Sequence, residues 1–461
     1  MPVSSPPSRP ASPLPPQNIL LLGLRRSGKS SLLSVVYKAL PPHETLFLDS
    51  TLRSHHLDVC AWEPVRFWDG PGLSASATEG GAGAAAAVQE KGKATGTAGG
   101  LEWTQVGAVI FVIDAQDDYF DALARLHSVL LDAYAHNPEI LFHVFVHKVD
   151  GLSDDYKYDT QRDIEQRVLD NLSDASASFT FAPCAYEILR QSAAAAPALP
   201  ALPSGPASAV GARPAGDHTN PASASASAFA SLAGQGNAMT SSALSRAAGL
   251  TPETHTAGSS GVRDVATSPR PGGSHIAASS SAAAAAGSGA PTNVNLDTDV
   301  RLTFHTTSIF DSSVNVAFSR MLQGLLQRGM EETLEGLCNS LCSANKLDKV
   351  FLFDVPTRTY IAADTSPFDR ASFDVASEYV SFLTRFADLY STLGASETGE
   401  TRHASSVSRL APDTTLAFWQ IDERLALLAI LRTQPASQGM LDFNVSLLRR
   451  SLLELRDLSR A

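Results

Sequence analysis

Eight residues near the start of the chain carry the clearest chemistry. Gly23-Leu24-Arg25-Arg26-Ser27-Gly28-Lys29-Ser30 has the spacing G-x-x-x-x-G-K-[ST], which describes a backbone loop wrapped around a phosphate chain. The glycines allow close approach to the anion. The amides of Arg25, Arg26, Ser27 and Gly28, with the start of the helix that follows, point at it. Lys29 places a positive charge on the β- and γ-phosphates, and the Ser30 hydroxyl is placed to ligate Mg²⁺.

Two further groups belong with this loop. His147-Lys148-Val149-Asp150 follows an apolar run. A carboxylate there can accept from both guanine N1–H and the exocyclic amine, a donor pair that adenine lacks, and Lys148 can lie along the base plane. Trp68-Asp69-Gly70-Pro71-Gly72 supplies the third group: Asp69 to hold Mg²⁺ through water, and the Gly72 N–H to meet the γ-phosphate.

The elements that position these residues fall into two blocks. In the first, residues 18–22, 108–113 and 141–146 are short apolar runs, and 302–305 is a weaker one. They alternate with helical stretches at 30–39, 118–135 and 160–172. Buried strands alternating with helices predict a parallel sheet wrapped by helices. The second block opens with Val314, Phe318, Met321, Leu322, Leu325 and Leu326 at amphipathic-helix spacing. A hairpin at 349–355 and 358–364, a helix over about 370–393, three strands at 405–409, 415–421 and 424–432, and a closing amphipathic helix complete an α-ββ-α-βββ-α domain. The expected division is a disordered 1–17, an α/β domain over 18–311, and an α+β domain over 312–461. Low-complexity stretches at 74–101 and about 191–295 read as disordered surface insertions.

Composition narrows the function. The chain has 461 residues and a net charge of −12. That argues against nucleic-acid binding and against a polybasic membrane surface. Four scattered cysteines suit a reducing compartment, and no apolar run approaches the roughly 20 residues needed to span a bilayer. A soluble protein that reaches membranes only through partners is expected. A metabolic kinase would also need an acceptor site and a lid, and neither is visible.

The ordered motifs resemble the Ras-like GTPases, and in finer detail the Rag GTPases of RagC/RagD type, including fungal Gtr-like subunits. The resemblance rests on residues 23–31 (ending in Ser31), Glu44-Thr45-Leu46-Phe47-Leu48, residues 112–119, residues 147–155, Thr160-Gln161-Arg162-Asp163-Ile164, Thr307-Ser308-Ile309-Phe310-Asp311 and Phe351-Leu352-Phe353-Asp354-Val355. His147, where most Ras-like proteins have Asn, and the paired P-loop arginines mark this branch. The resemblance implies a Ras-like GTPase domain followed by a roadblock-type dimerisation domain, with GTP or GDP and Mg²⁺ as ligands. It implies a heterodimer with a RagA/B-type GTPase, a vacuolar or lysosomal scaffold of Ragulator or EGO type, an activating protein, and signalling to TOR complex 1. Location would be cytoplasmic and peripheral on the vacuole or lysosome. Thr51 is the switch threonine expected to reach Mg²⁺ and the γ-phosphate, with Thr45 as its rival. Ser308 and Ile309 match the motif whose backbone meets the guanine oxygen.

This sequence departs from the family at the second switch. Leu73 stands where the family carries the water-orienting Gln, and Gly70 replaces an aromatic. Intrinsic hydrolysis is therefore expected to be slow, and Leu73→Gln to accelerate it, unless a group such as Gln105 reaches the water instead. A hydrolysis-deficient scaffold half of a heterodimer is the competing reading.

Overall fold

The computed structural model describes residues 15–60, 62–73, 97–98, 100–195, 294–327, 329–391, 404–432 and 438–459. The stretches expected to be disordered therefore lie almost wholly outside the described residues. Four of their ends do not, Val294 packing against the first core among them. Gln17 opens the first strand, the 191–295 tract is helical up to Ala195, and Leu101, at the end of the 74–101 stretch, is buried in the core.

In chain order the first block comprises β1 (Gln17–Gly23), α1 (Lys29–Tyr37), β2 (His55–Cys60), β3 (Pro64–Asp69) and the two-residue strands β4 (Thr97–Ala98) and β5 (Leu101–Glu102). It continues with β6 (Val106–Asp114), α2 (Phe120–His136), β7 (Leu141–His147), α3 (Asp154–Ser176), α4 (Pro183–Ala195), α5 (Leu296–Asp299), β8 (Leu302–Thr307) and α6 (Ser313–Gly324). Six strands form one sheet in the order β2-β3-β1-β6-β7-β8. All neighbours are parallel except β2, which runs antiparallel to β3 at the edge.

Strand alternation divides the core into two layers. Leu20 and Leu22 of β1, with Val109, Phe111 and Ile113 of β6, face α2 and α3. Ile19 and Leu21, with Ala108, Ile110 and Val112, face α1 and α6. The hairpin of β2 and β3 was not read from the sequence. The alternating burial of Pro64–Asp69 was a usable signal, whereas His55–Cys60 is a mostly exposed edge strand whose alternation is carried by Leu57 and Val59 alone.

The second block is α7 (Met330–Asn345), β9 (Lys349–Asp354), β10 (Thr359–Ala363), α8 (Arg370–Ser391), β11 (Ser405–Ala411), β12 (Thr414–Gln420), β13 (Leu425–Leu431) and α9 (Gln438–Ser459). Its antiparallel sheet runs β10-β9-β13-β12-β11. Helices α7 and α9 cover one face and α8 the other. This is the α-ββ-α-βββ-α arrangement expected of the roadblock type.

One boundary moves. The helix read as opening the second block is α6, and it belongs to the first. Val314, Ala317, Phe318 and Met321 are at most 1% exposed and pack with Ile19, Leu32 and Phe67. The first block therefore ends near Leu326 rather than at Asp311, and α7 supplies the opening helix of the second. The polar face of α6 meets the edge strand β10. Asn315 Nδ2 donates to Thr357 O (2.9 Å), the Tyr360 N–H to Ser319 Oγ (2.9 Å), and Gln323 Nε2 to Ile361 O (3.0 Å). Side chains four residues apart on one helix thus satisfy one backbone group in the turn before β10 and two along its edge.

Candidate nucleotide-binding site

β1 brings Gly23 to the C-terminal edge of the first sheet, where such α/β sheets bind ligands. Gly23 has φ +143°, and a Cβ there would lie 2.3 Å from the Val112 carbonyl oxygen. Gly28, at φ +99°, caps α1, and a Cβ would lie 2.5 Å from His147 Cδ2. Only glycine fits at either position. Lys29 is buried, and its Nζ donates to Leu24 O (2.8 Å), Gly23 O (3.1 Å) and Ser27 Oγ (3.4 Å). Burial lowers its pKa to about 8, against the opposing pull of the Asp69 carboxylate. Ser27 is buried, Ser31 half-buried, and Arg25 and Arg26 are exposed.

Three oxygen-bearing side chains converge beside Lys29. Ser30 Oγ donates to Asp69 Oδ2 at 2.5 Å and lies 2.8 Å from Thr51 Oγ1. Asp69 is 1% exposed, and its Oδ1 has no hydrogen-bond partner. Two hydroxyls and a carboxylate with an uncommitted buried oxygen suit a hard cation that takes its other ligands from phosphate and water. Between the two rival threonines the structure brings Thr51 to this cluster. Thr45 instead closes a 3-10 turn, its hydroxyl donating to Pro42 O at 2.7 Å. His55, which sequence reasoning passed over, sits with Nε2 at 3.6 Å from Asp69 Oδ2.

Gly72 runs against the P-loop, and a Cβ there would lie 2.4 Å from Arg25 Cα. Leu73 departs from its expected place. Its N–H donates to Gly23 O (3.0 Å), and its side chain, 8% exposed, belongs to the core layer that holds Leu20, Leu22 and Val109. It is a core residue rather than an idle occupant of a water-positioning slot. Gln105 does not reach the site either. It precedes β6, at the opposite end of the sheet, where its carbonyl accepts from Asn18 Nδ2.

The ends of β7 and β8 build the remaining part. Lys148, in the left-handed region at φ +62°, donates through Nζ to Arg26 O (2.9 Å) and to Asp114 Oδ2 (2.5 Å). Gln116 Nε2 donates to Lys148 O at 2.7 Å. Asp114 and Gln116 had been given no role. Their signal was the C-terminal end of the long apolar run that becomes β6. Asp150 is exposed and accepts from Ser308 Oγ at 2.7 Å. Ser308 is itself buried, with its N–H donating to Ser313 Oγ, and Ile309 packs half-buried toward α1 and α6. His147 is 1% exposed, with Nδ1 at 3.1 Å from Thr307 Oγ1. Burial, reinforced by Lys148, lowers its pKa to about 4, so a neutral imidazole packs on Gly28.

The family described as the Gtr1/RagA G protein conserved region matches residues 18–188 and 281–380. The GTP-binding protein gtr2 of Schizosaccharomyces pombe is 29% identical, over 95% of this chain and 97% of its own length. Human Ras-related GTP-binding protein C is 28% identical, over 95% of this chain and 76% of its own. Among solved structures, a Roadblock/LC7 domain from Streptomyces avermitilis aligns with 26% of this chain and 95% of its own at 16% identity, with a TM-score of 0.22, a likeness too slight to carry an argument.

Proposed function

Because the chain belongs to the Gtr1/RagA family of G proteins and is of the RagC/RagD type, we propose that it is a GTP-binding switch that relays amino-acid sufficiency to TOR complex 1. It does so as one half of a heterodimer with a RagA/B-type GTPase, held on the vacuole or lysosome by a Ragulator- or EGO-like scaffold. Among the described residues no helix is long and apolar enough to cross a membrane, which accords with recruitment through partners.

The observation that carries this reading is the meeting of Ser30, Thr51 and Asp69 beside Lys29. With nucleotide bound, Lys29 would exchange the carbonyls of Gly23 and Leu24 for phosphate oxygens. The amides from Arg25 to Ser30 line the phosphates, with Ser31 behind them on the first turn of α1, and the Gly72 amide lies closest to the γ-phosphate. Asp150 accepts from guanine, oriented by Ser308, with Ile309 alongside, and Lys148 ties the base segment to the P-loop through Arg26 O. Ser30 and Thr51, with Asp69 through water, would hold Mg²⁺, which would supply positive charge against the phosphates.

The heterodimer partner is proposed to dock at β11. Among the described strands β11 pairs only with β12, and it exposes Val407 (59%) and Leu410 (54%), while α8 exposes Phe382 and Phe386. An unpaired apolar edge of this kind is a template for strand addition.

Hydrolysis to GDP and phosphate is proposed to be slow and to depend on an activating protein. Leu73 in the core favours a second reading, a pseudo-GTPase that holds nucleotide as the scaffold half of the pair. Chromatography of the nucleotide carried by the purified heterodimer, followed by a hydrolysis time course, separates the two. Turnover stimulated by an activating protein supports the switch, and persistent GTP supports the scaffold. Absence of guanine nucleotide refutes both.

A further inference from the structure

The hairpin of β2 and β3 touches both blocks. At its site end β3 finishes in Asp69, with His55 opposite it in register, and Thr51 lies four residues before β2. At its far end Cys60 pairs with Pro64, and the turn carries Trp62 and Glu63. Trp62 is 1% exposed, yet its neighbours are not those of the first sheet. It packs in the core that α7 and α9 form on the second sheet, with Leu334, Leu352 and Ile361.

Glu63 fastens the same turn. It is buried and accepts from Gln17 Nε2 (3.1 Å) and from the Gln327 amide (3.4 Å). Gln17 Nε2 also donates to Leu325 O at 3.0 Å. The turn is thus tied to the start of β1 and to the connector between α6 and α7. Within the hairpin β2 is the lightly held strand, an edge bonded only to β3 among the described strands, whereas β3 also pairs with β1. A six-residue ribbon is about 20 Å long. One end carries two members of the oxygen cluster or stands just beyond them, and the other is set in a close-packed core that accommodates shifts poorly.

We propose that Trp62 is a positioning residue that couples the state of the nucleotide site to the second block, an inference that rests on the GTP-binding reading above. Ordering of Thr51 and Asp69 around the nucleotide fixes the hairpin, and the Trp62 ring transmits that placement to α7 and β10. Such coupling is reciprocal: the second block biases which nucleotide the first prefers.

The test uses the full chain loaded with GDP or with a non-hydrolysable GTP analogue. Amide hydrogen exchange is followed over 330–345 and 349–363, and equilibrium affinities for both nucleotides are measured. In the wild type, protection in those segments differs between the two states. Trp62→Ala abolishes the difference and shifts the ratio of GTP to GDP affinity on the order of fivefold or more. Trp62→Phe retains both, and Trp62→Leu shows the same loss as Trp62→Ala should the alanine variant not fold. Leu341→Ala, a cavity in the same core away from the hairpin, retains the state difference. The proposal is overturned if the wild type binds both nucleotides without a difference in exchange, if Trp62→Ala and Trp62→Leu keep the difference, or if Leu341→Ala abolishes it equally. A chain that binds no guanine nucleotide overturns the GTP-binding reading itself, and the coupling with it.

Discussion

Leu73→Gln separates a core role from an active-site role at the same position. Were Leu73 merely an unsuitable group beside the γ-phosphate, Gln would restore water orientation at little cost. The structure implies the reverse. Leu73 is 8% exposed within the layer formed by Leu20, Leu22 and Val109. Removing a buried leucine from such a layer forfeits about 1.5–3 kcal/mol of apolar burial. An amide left there without partners costs about 1–3 kcal/mol more. The sum is about 2.5–6 kcal/mol, falling toward roughly 2 kcal/mol if the Gln side chain swings out to solvent. At about 2–4 °C per kcal/mol for a domain of this size, the melting temperature should drop by roughly 5–20 °C. Thermal unfolding of the GDP-loaded protein measures that drop, and a single-turnover GTP assay measures turnover. Destabilisation without acceleration is expected. A Leu73→Gln protein that melts with the wild type and hydrolyses GTP faster would refute the core assignment.

Asp150→Asn removes the carboxylate that Ser308 orients. GTP affinity should fall tenfold or more, on the order of 1.5–3 kcal/mol for a charge-assisted pair, with partial gain of xanthosine triphosphate in competition binding. Thr51→Ala should weaken Mg²⁺–GTP more than Mg²⁺–GDP while Thr45→Ala changes neither preferentially, as titration calorimetry would show; equal effects would remove Thr51 from the metal site. Burial lowers the pKa of His143 to about 3 and of His147 to about 4. Both are neutral when folded and protonate near 6.5 when unfolded. The unfolded chain therefore gains protons first, and stability is lost as pH falls below 6.5, by about 2 kcal/mol per group at pH 5; chemical denaturation at pH 7 and 5 measures it. Truncation after residue 311 should leave an insoluble first block, because it strips Val314, Phe318 and Met321 from the core. Truncation after 327 should leave a nucleotide-binding fragment that no longer co-purifies with a partner chain.

How far the sequence carried depended on how local each signal was. The P-loop is contiguous and sits between an apolar strand and a helix, so its glycines and Lys29 could be assigned before any fold was known. Strands β9, β10, β12 and β13 were equally legible, because their apolar runs are bounded by turns. Thr51 ranks above Thr45 by resemblance alone, since the residues themselves do not show where Asp69 comes to lie across the hairpin. The roles of Leu73 and α6 were hidden for a related reason. An apolar side chain after a glycine, or an amphipathic helix between two blocks, does not declare which core it will join. Trp62 shows this most sharply: it lies in the first block's sequence and in the second block's core.

The ladder from α6 to β10 limits how many chains can join. An antiparallel sheet with two open edges can recruit a strand at each and so grow without end. Here Ser319 and Gln323 occupy bonding groups of Tyr360 and Ile361 along one edge, and within this sheet only β11 remains open among the described strands. A partner built the same way would likewise bring a single open edge. Once the two edges meet, neither second-block sheet has another to offer, so growth through this sheet would stop at two subunits rather than run on into a filament.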